Sequence, residues 1–282
     1  MYPEQGFRAW RNRVKLKLRV LRHSRHTLAW WRFLDASPLH PLAADHTNLF
    51  HLIHRPYLNW RWSVAQRHRV IRSHYRWVRR MPWLLRSHFE PRVLVQTALP
   101  PGARIVLHKD RIFMREGELV LSIYSAAERL LSLAFTLHGG ARPRLYIGAL
   151  QGNRSETARL AIKSLTRALH GLRPRDLLVF ALQELAQRLD VKEMLAVADC
   201  SHFSSSPSYK FGGGKSRALS YDDVWREHQG RPARDGFFSL PLSYRRKPAE
   251  LVPSHKRAQY RRRYAQMDAI AAELAELLAR SL

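Results

Sequence analysis

The sequence predicts an α+β fold with a mixed, mainly antiparallel sheet and one helical crossover, preceded by a basic helical N-terminal region. Residues 91–147 contain short apolar runs separated by turn residues, which is typical of an antiparallel meander. Residues 145–198 pass from a strand through two amphipathic helices to a second strand, which predicts a crossover connection. Residues 1–90 combine many arginines with seven of the eight tryptophans, and their apolar residues recur at helical spacing.

The charge of the chain is its most unusual property. Its 282 residues include 49 Lys and Arg against 22 Asp and Glu, which gives a net charge of +27 at pH 7. Such a field attracts polyanions, and charge alone does not distinguish anionic lipid or lipopolysaccharide from nucleic acid or acidic protein. A hydrophobic fraction of 45% is typical of a globular chain and excludes a disordered one.

Cysteine content and apolar runs limit the class of protein further. The single cysteine, Cys200, excludes a disulfide framework and a cysteine-rich metal site. The longest apolar runs are far shorter than the ~20 residues that cross a bilayer, so we expect no transmembrane segment. Residues 1–31 have no continuous apolar stretch and no small-residue cleavage site, so we expect no standard secretion signal. These features favour a cytoplasmic location, with peripheral attachment at the inner membrane as the alternative.

Basic helices with interleaved aromatic residues are predicted in the first ninety residues. We expect helices over residues 7–34, 48–54 and 60–80. Such helices can lie at a lipid interface, stack on single-stranded bases, or pack on the rest of the protein with arginine side chains extending outward. All three alternatives stay open at this point. We place a domain boundary near Glu90, so that residues 1–90 form the basic region and residues 91–282 the α+β core.

A meander of short strands is predicted next. The expected strands cover residues 93–95, 105–107, 112–114, 119–124, 131–137 and 145–147. Glycine, proline and charged residues between these runs are typical of turns. The clearest hairpin is expected over residues 111–121, with Glu116 and Gly117 at its tip.

The crossover has helix start and stop signals. A turn is predicted from Gly148 to Gly152, after the last strand of the meander. Asn153 or Ser155 is a suitable N-cap for the first helix, and Gly171 is placed to end it. Pro174 favours the first turn of the second helix. The core is completed by a strand over residues 194–198, a loop-rich segment with a short strand at 237–242, and a C-terminal helix after residue 254.

Polar residues follow both crossover strands, where ligands tend to bind in open α/β sheets. Gln151 and Gly152 follow the first strand, and backbone amides there can hold the anionic group of an acyl carrier; the alternative is a purely structural turn. His202 follows the second strand as a candidate general base, with Cys200 as a candidate nucleophile if its pKa is lowered. Asp199 either orients His202 or caps a turn.

A second polar cluster, Tyr221 with Asp222 and Asp223, follows Ser220. Carboxylates favour the first turn of a helix, so these residues either cap a short helix or bind a ligand. We assign His202, Tyr221 and Asp222 as the catalytic candidates and expect all three near the acceptor.

Several familiar motifs are excluded. The glycine-rich segment 212–216 lacks the first glycine of a phosphate-binding P-loop, because Tyr209 occupies that position. The metal-binding HExxH and the nucleophile motif GxSxG are absent, so we expect no metal site and recognise no hydrolase arrangement. Segment 212–216 is better interpreted as a flexible basic loop.

The order of several segments resembles a known family. These segments are IGALQG (147–152), IKSLTRALHGLRPRDLL (162–178), VADCSHF (197–203), SYDDVWRE (220–227), DGFFSLPL (235–242) and SHKRAQYRRR (254–263). They are similar to the VirK/YbjX family, also known as DUF535. The resemblance implies a Gram-negative bacterial protein linked to virulence, envelope remodelling and resistance to cationic antimicrobial peptides. It supplies no catalytic residues and no cofactor.

The order of meander and crossover is also similar to acyl-CoA N-acyltransferase (GNAT-like) folds, in which a glycine turn after a central strand binds the pyrophosphate of the acyl carrier. Here the usual Q/R-x-x-G-x-G/A turn is not intact, and two helices separate the strands. Two functions therefore stay open. One is an envelope-stress protein acting as an acyl-CoA-dependent type of transferase, and the other is a non-enzymatic protein that binds anionic lipid, lipopolysaccharide or nucleic acid.

Overall fold

The computed structural model describes residues 7–36, 38–210 and 219–280. Segment 212–216, interpreted above as a basic loop, lies outside the described residues. The described helices are α1 (Phe7–Arg22), α2 (Ser24–Asp35), α3 (Leu39–Asp45), α4 (Val64–Val78), α5 (Pro82–Arg86), α6 (Glu156–Ala168), α7 (Pro174–Arg188), α8 (Pro207–Lys210), α9 (Tyr221–Glu227) and α10 (Arg257–Ala279). The strands are β1 (Arg92–Val95), β2 (Ala103–His108), β3 (Leu119–Ser125), β4 (Glu128–His138), β5 (Arg144–Gly152), β6 (Glu193–Val197), β7 (Arg231–Pro232) and β8 (Phe237–Leu240).

One eight-stranded sheet organises the protein, in the order β1-β2-β3-β4-β5-β6-β8-β7. Only β5 and β6 are parallel, and α6 and α7 connect them. The predicted α+β class, with a mainly antiparallel sheet and a helical crossover, is therefore confirmed. Residues 145–150 of β5 are all buried, so both faces of the sheet are covered at its centre. α4 packs on β4, while α7 packs on β3 and β4, and α10 packs on α7 and β1.

The predicted local signals at the crossover are observed. The Ser155 hydroxyl accepts the backbone N–H of Ala158 and caps α6. Gly171 follows that helix with a φ of +82°, a conformation that favours glycine. Pro174 occupies the first turn of α7. These signals act within a few residues of chain, which is why the sequence is sufficient to place them.

The N-terminal helices differ from the prediction in their ends. The single helix expected over residues 7–34 is interrupted at His23, whose φ of −118° and ψ of 34° are not helical. The helix expected over residues 60–80 begins later, at Val64, because Ser63 and Gln66 form a reciprocal capping box. The segment expected to be a helix over 48–54 is a 3-10 helix, Thr47–His54.

Two predictions in the core are wrong. No hairpin covers residues 111–121, and residues 112–114 form turns; β3 pairs instead with β2, and residues 109–118 connect them. Residues 148–152 do not form a turn, because β5 continues through Gly152. The 109–118 connection lies across β5 at Gly148 instead of forming its own ladder. The strand continues past Gly148 because its residues through Gly152 pair with β4.

The basic N-terminal region packs directly on the sheet. A single core of buried apolar side chains extends from Trp30 to Leu278 and includes residues on both sides of Glu90. Trp62 packs against Tyr146 and Phe237, with ring centroids 5.4 and 5.5 Å apart. The boundary near Glu90 stays a prediction. Among the described helices, none has the length and apolar content needed to span a bilayer.

Candidate functional site

The two parallel strands of the sheet separate halfway along β5. They pair from Arg144 with Glu193 to Ile147 with Ala196, and β5 then continues without β6. At the same point β5 contains a bulge, because Phe135 pairs with Ile147 while the preceding Ala134 pairs with Ala149. A bulge bends a strand and increases its twist. The separation leaves room at the carboxyl ends of β5 and β6 for the polar side chains described next.

Glu116 lies at the centre of this polar group. Its Oε1 accepts a hydrogen bond from Gln151 Nε2 at 2.7 Å and lies 3.0 Å from His202 Nε2. The Glu116 and His202 side chains are almost completely buried. Two of the residues selected from the sequence, Gln151 and His202, therefore meet through a carboxylate that sequence analysis placed at a hairpin tip.

Two glycines allow the 109–118 connection to approach the sheet. A Cβ on Gly148 would lie 1.9 Å from the Glu116 carbonyl oxygen, and a Cβ on Gly117 would lie 2.5 Å from Phe135 N. Any larger residue would push the connection away from β4 and β5. Leu58 N donates to Arg115 O at 2.7 Å and holds the outer side of the connection. The backbone of Glu116 is thus fixed from both sides.

His202 contacts Ser204 through its other ring nitrogen. Ser204 N donates to His202 Nδ1 at 3.2 Å, and Ser204 Oγ lies 2.8 Å from the same atom. Because a backbone N–H can only donate, Nδ1 holds the lone pair and the proton lies on Nε2, which donates to Glu116. The Ser204 hydroxyl, the His202 imidazole and the Glu116 carboxylate thereby follow one another in the order of the nucleophile, base and orienting group of a catalytic triad. Ser204 is half-buried, whereas His202 is buried.

Tyr221 forms one wall of the site. Its ring is nearly perpendicular to the His202 ring, with centroids 5.3 Å apart. Its hydroxyl accepts a hydrogen bond from Leu150 N at 3.3 Å, on the free half of β5. Tyr221 is 1% exposed, so it shapes the interior of the site and fixes the imidazole plane.

Asp199 and Asp222 cap each other's backbone. Asp199 Oδ1 accepts Tyr221 N at 3.0 Å and its Oδ2 accepts Ser220 Oγ at 3.0 Å, while Asp222 Oδ1 accepts Asp199 N at 2.7 Å. Of the alternatives left open by the sequence, helix capping is the one that these contacts support. Asp222 therefore has an indirect effect on the site, because it holds the backbone of the turn that carries His202.

Cys200 lies beside this group. Its Sγ is 3.6 Å from Ser201 Oγ, and its carbonyl oxygen accepts Trp60 Nε1 at 3.0 Å. The hydroxyl on the His202 Nδ1 side belongs to Ser204, so the geometry favours Ser204 over Cys200 as the nucleophile. The Cys200 backbone instead joins the N-terminal region to the site.

A cavity of about 700 Å³ opens beside Gln151 and Gly152 and is also lined by Arg129 and Arg154. It lies at the start of α6, where an anion would be favoured. Glu128 Oε1 already accepts Ser155 Oγ at 2.7 Å and Thr157 Oγ1 at 2.9 Å there. A carboxylate thus occupies the helix terminus that a pyrophosphate would need. The assignment of Gln151 and Gly152 to a carrier stays a prediction.

Glu116 and Ser204 were not among the site residues predicted from the sequence. Ser204 stands two residues after His202, and this spacing is the only local signal for their contact. Glu116 lies 86 residues before His202 in the chain, and its loop position gives no sign that it will be buried. A carboxylate at a predicted hairpin tip is ordinarily solvated.

The comparisons with known proteins agree with the family resemblance of the sequence. The family described as "Protein of unknown function (DUF535)" matches residues 5–276. The uncharacterized protein YbjX of Escherichia coli K12 is 31% identical in an alignment of 281 positions, which covers 94% of this chain and 83% of YbjX. An uncharacterized protein of Haemophilus influenzae is 30% identical over 185 residues, which are 65% of this chain and 61% of that protein. The chain therefore belongs to the DUF535 family, and YbjX is one of its relatives.

Proposed function

We propose that this protein is an acyltransferase in which Ser204 is acylated with His202 as its general base. One observation carries the proposal: Ser204 Oγ lies 2.8 Å from His202 Nδ1, while Nε2 of the same ring lies 3.0 Å from the buried carboxylate of Glu116. Orientation of an imidazole by a carboxylate, with a hydroxyl on the opposite nitrogen, is the arrangement that activates serine.

In the first half-reaction, Ser204 Oγ attacks the carbonyl carbon of an ester or thioester donor. The hydroxyl proton moves to His202 Nδ1, and the charge of Glu116 stabilises the imidazolium that forms. The new C–O bond to serine replaces the C–S or C–O bond of the donor. The leaving thiolate or alkoxide takes the proton back from His202.

In the second half-reaction, an acceptor hydroxyl or amine gives its proton to His202 Nδ1 and attacks the acyl-serine. Ser204 leaves as an alkoxide and takes the proton from the imidazolium. Tyr221 holds the imidazole plane and Gln151 holds Glu116, so both position the base. Asp222 acts further away, through the backbone of Asp199.

The donor that we propose is an acyl-CoA type of thioester, and the acceptor is a component of the bacterial envelope. The family resemblance, which implies envelope remodelling and resistance to cationic antimicrobial peptides, supports this choice of acceptor. With a net charge of +27, the protein itself would repel cationic peptides, so resistance would arise by modification of the envelope. Virulence and peptide resistance are in this view consequences of acylation.

The experiment is acylation of the purified protein by acetyl-CoA and decanoyl-CoA, followed by intact mass and peptide mapping. We expect an acyl group on Ser204 that is absent in Ser204→Ala and slow to form in His202→Gln. Ser205→Ala is the matched control, because Ser205 Oγ contacts the Asp199 carbonyl oxygen and not His202. Equal acylation of Ser204→Ala and the unmodified protein, or no acylation by either thioester, would contradict the proposal.

A second candidate function, binding of an anionic membrane surface without catalysis, is favoured by α1. This helix carries seven basic residues and no acidic one. Its apolar side chains Trp10, Leu18 and Leu21 are 60%, 61% and 71% exposed, and they lie within ~80° around the helix at 100° per residue. A helix with this pattern binds anionic lipid at the interface. It would place the protein at the inner membrane face.

A further inference from the structure

A separate cavity lies between α4, α2 and the turn after β4. Its volume is about 380 Å³. The basic residues that line it are Arg69, Arg72, Arg76, His26, His68 and His138. Ala65, Ser73 and Gly139 complete the lining, so every described residue around the cavity is neutral or basic.

Three arginines of α4 project toward this cavity from successive turns. Arg69, Arg72 and Arg76 are spaced by three and four residues, which places them on one face of the helix. Cations this close repel one another unless an anion lies between them. Burial, and after it the charge of Arg72, lowers the pKa of His68 in the same wall to about 4.

Three residues that line the cavity each carry a buried side-chain nitrogen with no hydrogen-bond partner in the described part of the chain. The three nitrogens are His68 Nε2, Arg72 Nε and His138 Nδ1. Each such atom lowers the stability of the folded protein when it is left unsatisfied. His68 is only 8% exposed, so its free nitrogen is not solvated by bulk water.

The walls of the cavity are held in place. The Arg72 guanidinium lies over the Phe33 ring, 5.3 Å from its centroid. Gly139 N donates to Ser73 Oγ at 2.9 Å, which ties the turn after β4 to the helix. The His26 and His68 rings pack edge to face at 5.6 Å. The donors are therefore positioned before a ligand binds, which lowers the cost of binding.

A larger cavity, of about 550 Å³, adjoins the first one and shares Arg69 and His138 with it. Trp62, Tyr146 and Phe237 supply its aromatic floor. Arg144, Glu193, Arg234 and Asp235 also line this cavity, so its aromatic floor is bordered by charged residues of both signs.

We propose that these two cavities bind a phosphate monoester whose phosphate lies among Arg69, Arg72 and Arg76 and whose apolar body lies on Trp62 and Tyr146. Three guanidinium groups with unpaired histidine nitrogens fit a dianion with three free oxygens better than a monoanion. The phosphate can belong to an amphiphile or to a small soluble molecule. Phosphate binding at this site does not depend on Ser204. An experiment that contradicts acyl transfer therefore leaves the phosphate-binding proposal standing.

The test is calorimetric titration of the full chain with inorganic phosphate, pyrophosphate and monodecyl phosphate, in buffer without other multivalent anions. Arg72→Gln is the diagnostic variant, and we expect it to weaken binding about tenfold or more. Arg80→Gln is the matched control, since it removes the same charge from an exposed residue that does not line the cavity. Circular dichroism shows whether each variant is folded.

Tighter binding of monodecyl phosphate than of pyrophosphate, lost in Arg72→Gln and in Trp62→Ala, supports an amphiphile. Equal binding of pyrophosphate and the alkyl phosphate, lost in Arg72→Gln alone, supports a soluble phosphate. The first result supports the whole proposal. The second supports the phosphate site among the arginines and contradicts an apolar body on Trp62. The proposal is overturned if none of the three ligands binds, or if Arg72→Gln and Arg80→Gln weaken binding equally.

Discussion

Glu116 and His202 are 86 residues apart in the chain, yet Oε1 of the first lies 3.0 Å from Nε2 of the second in a buried site. Two further contacts extend this pair, one from Gln151 to the carboxylate and one from the imidazole to Ser204. The result is a row of hydrogen bonds in which the Glu116 carboxylate accepts from Gln151 on one side and from His202 on the other, and His202 in turn contacts the half-buried Ser204 hydroxyl. Such a row sets which imidazole nitrogen holds the proton.

The first prediction concerns the charge of this pair. Glu116→Gln keeps the size of the side chain but removes the charge that stabilises protonated His202. We expect the rate of Ser204 acylation to fall about 100-fold or more, with little loss of binding of the donor. Single-turnover acylation kinetics provide the measurement. Gln151→Ala, which removes one hydrogen bond to the same carboxylate, is the control and should slow acylation less. An unchanged acylation rate in Glu116→Gln would show that the carboxylate has no role in the mechanism.

The sequence was sufficient for much of the fold because the signals are local. Ser155, Gly171 and Pro174 act within one helical turn, and the crossover between β5 and β6 follows from them. The site depended on contacts between distant segments. The short apolar run at residues 112–114 suggested a strand, but three residues do not separate a strand from a buried turn, and Phe113 is buried in such a turn.

The second prediction tests how Glu116 is positioned. Gly148→Ala would place a methyl group 1.9 Å from the Glu116 carbonyl oxygen, so the 109–118 connection must move. We expect a loss of about 1–3 kcal/mol in the free energy of unfolding, together with loss of acylation. Gly152→Ala is a matched control on the same strand, because its new Cβ would lie 3.5 Å from the nearest atom. Equal urea midpoints for the two variants would show that close approach at Gly148 is unimportant.

The third prediction concerns a buried ion pair on the other side of the 109–118 connection. Lys109 Nζ lies 2.8 Å from Glu118 Oε2, which also accepts Tyr75 Oη at 2.5 Å. Burial alone would raise the pKa of Glu118, but the charge and hydrogen bond of Lys109 outweigh it and lower that pKa. Lys109→Met leaves a buried carboxylate without its cation, so we expect a loss of about 3–5 kcal/mol in stability.

The control for this ion pair is Arg159→Ala, which breaks an exposed pair with Glu156 and should cost less than about 1 kcal/mol. Lys109→Met combined with Glu118→Gln removes both charges and should recover part of the loss. Chemical denaturation of the three variants distinguishes these cases. A Lys109→Met variant as stable as Arg159→Ala would contradict the role of the pair.

The fourth prediction is a dependence of stability on pH. Burial lowers the pKa of His51, His54 and His68 from 6.5 to about 4. Between these values the unfolded chain binds protons that the folded chain does not, so stability is complete above pH 6.5 and falls as the pH decreases toward 4. The slope is at most about 1.4 kcal/mol per pH unit for each imidazole.

The measurement is chemical denaturation between pH 7 and pH 4. His51→Gln should reduce the slope, because one of the three imidazoles no longer titrates. His170→Gln is the control for replacement of a histidine outside this group. A free energy of unfolding that stays constant over this range would contradict burial of the three imidazoles in their neutral form.

The last prediction addresses the α1 surface. Leu18 and Leu21 are exposed on a helix that is otherwise strongly basic, so both apolar insertion and charge should contribute to binding of anionic vesicles. Leu18→Gln combined with Leu21→Gln should weaken vesicle binding about tenfold or more, because two apolar side chains no longer enter the interface. Leu160→Gln is the matched control, since Leu160 is also 60% exposed but lies on α6. Co-sedimentation at two salt concentrations separates the contributions: the charge contribution weakens with salt, and the difference between the double variant and the control persists. If the double variant and Leu160→Gln bind equally, α1 does not insert, and the positive charge alone accounts for any attachment.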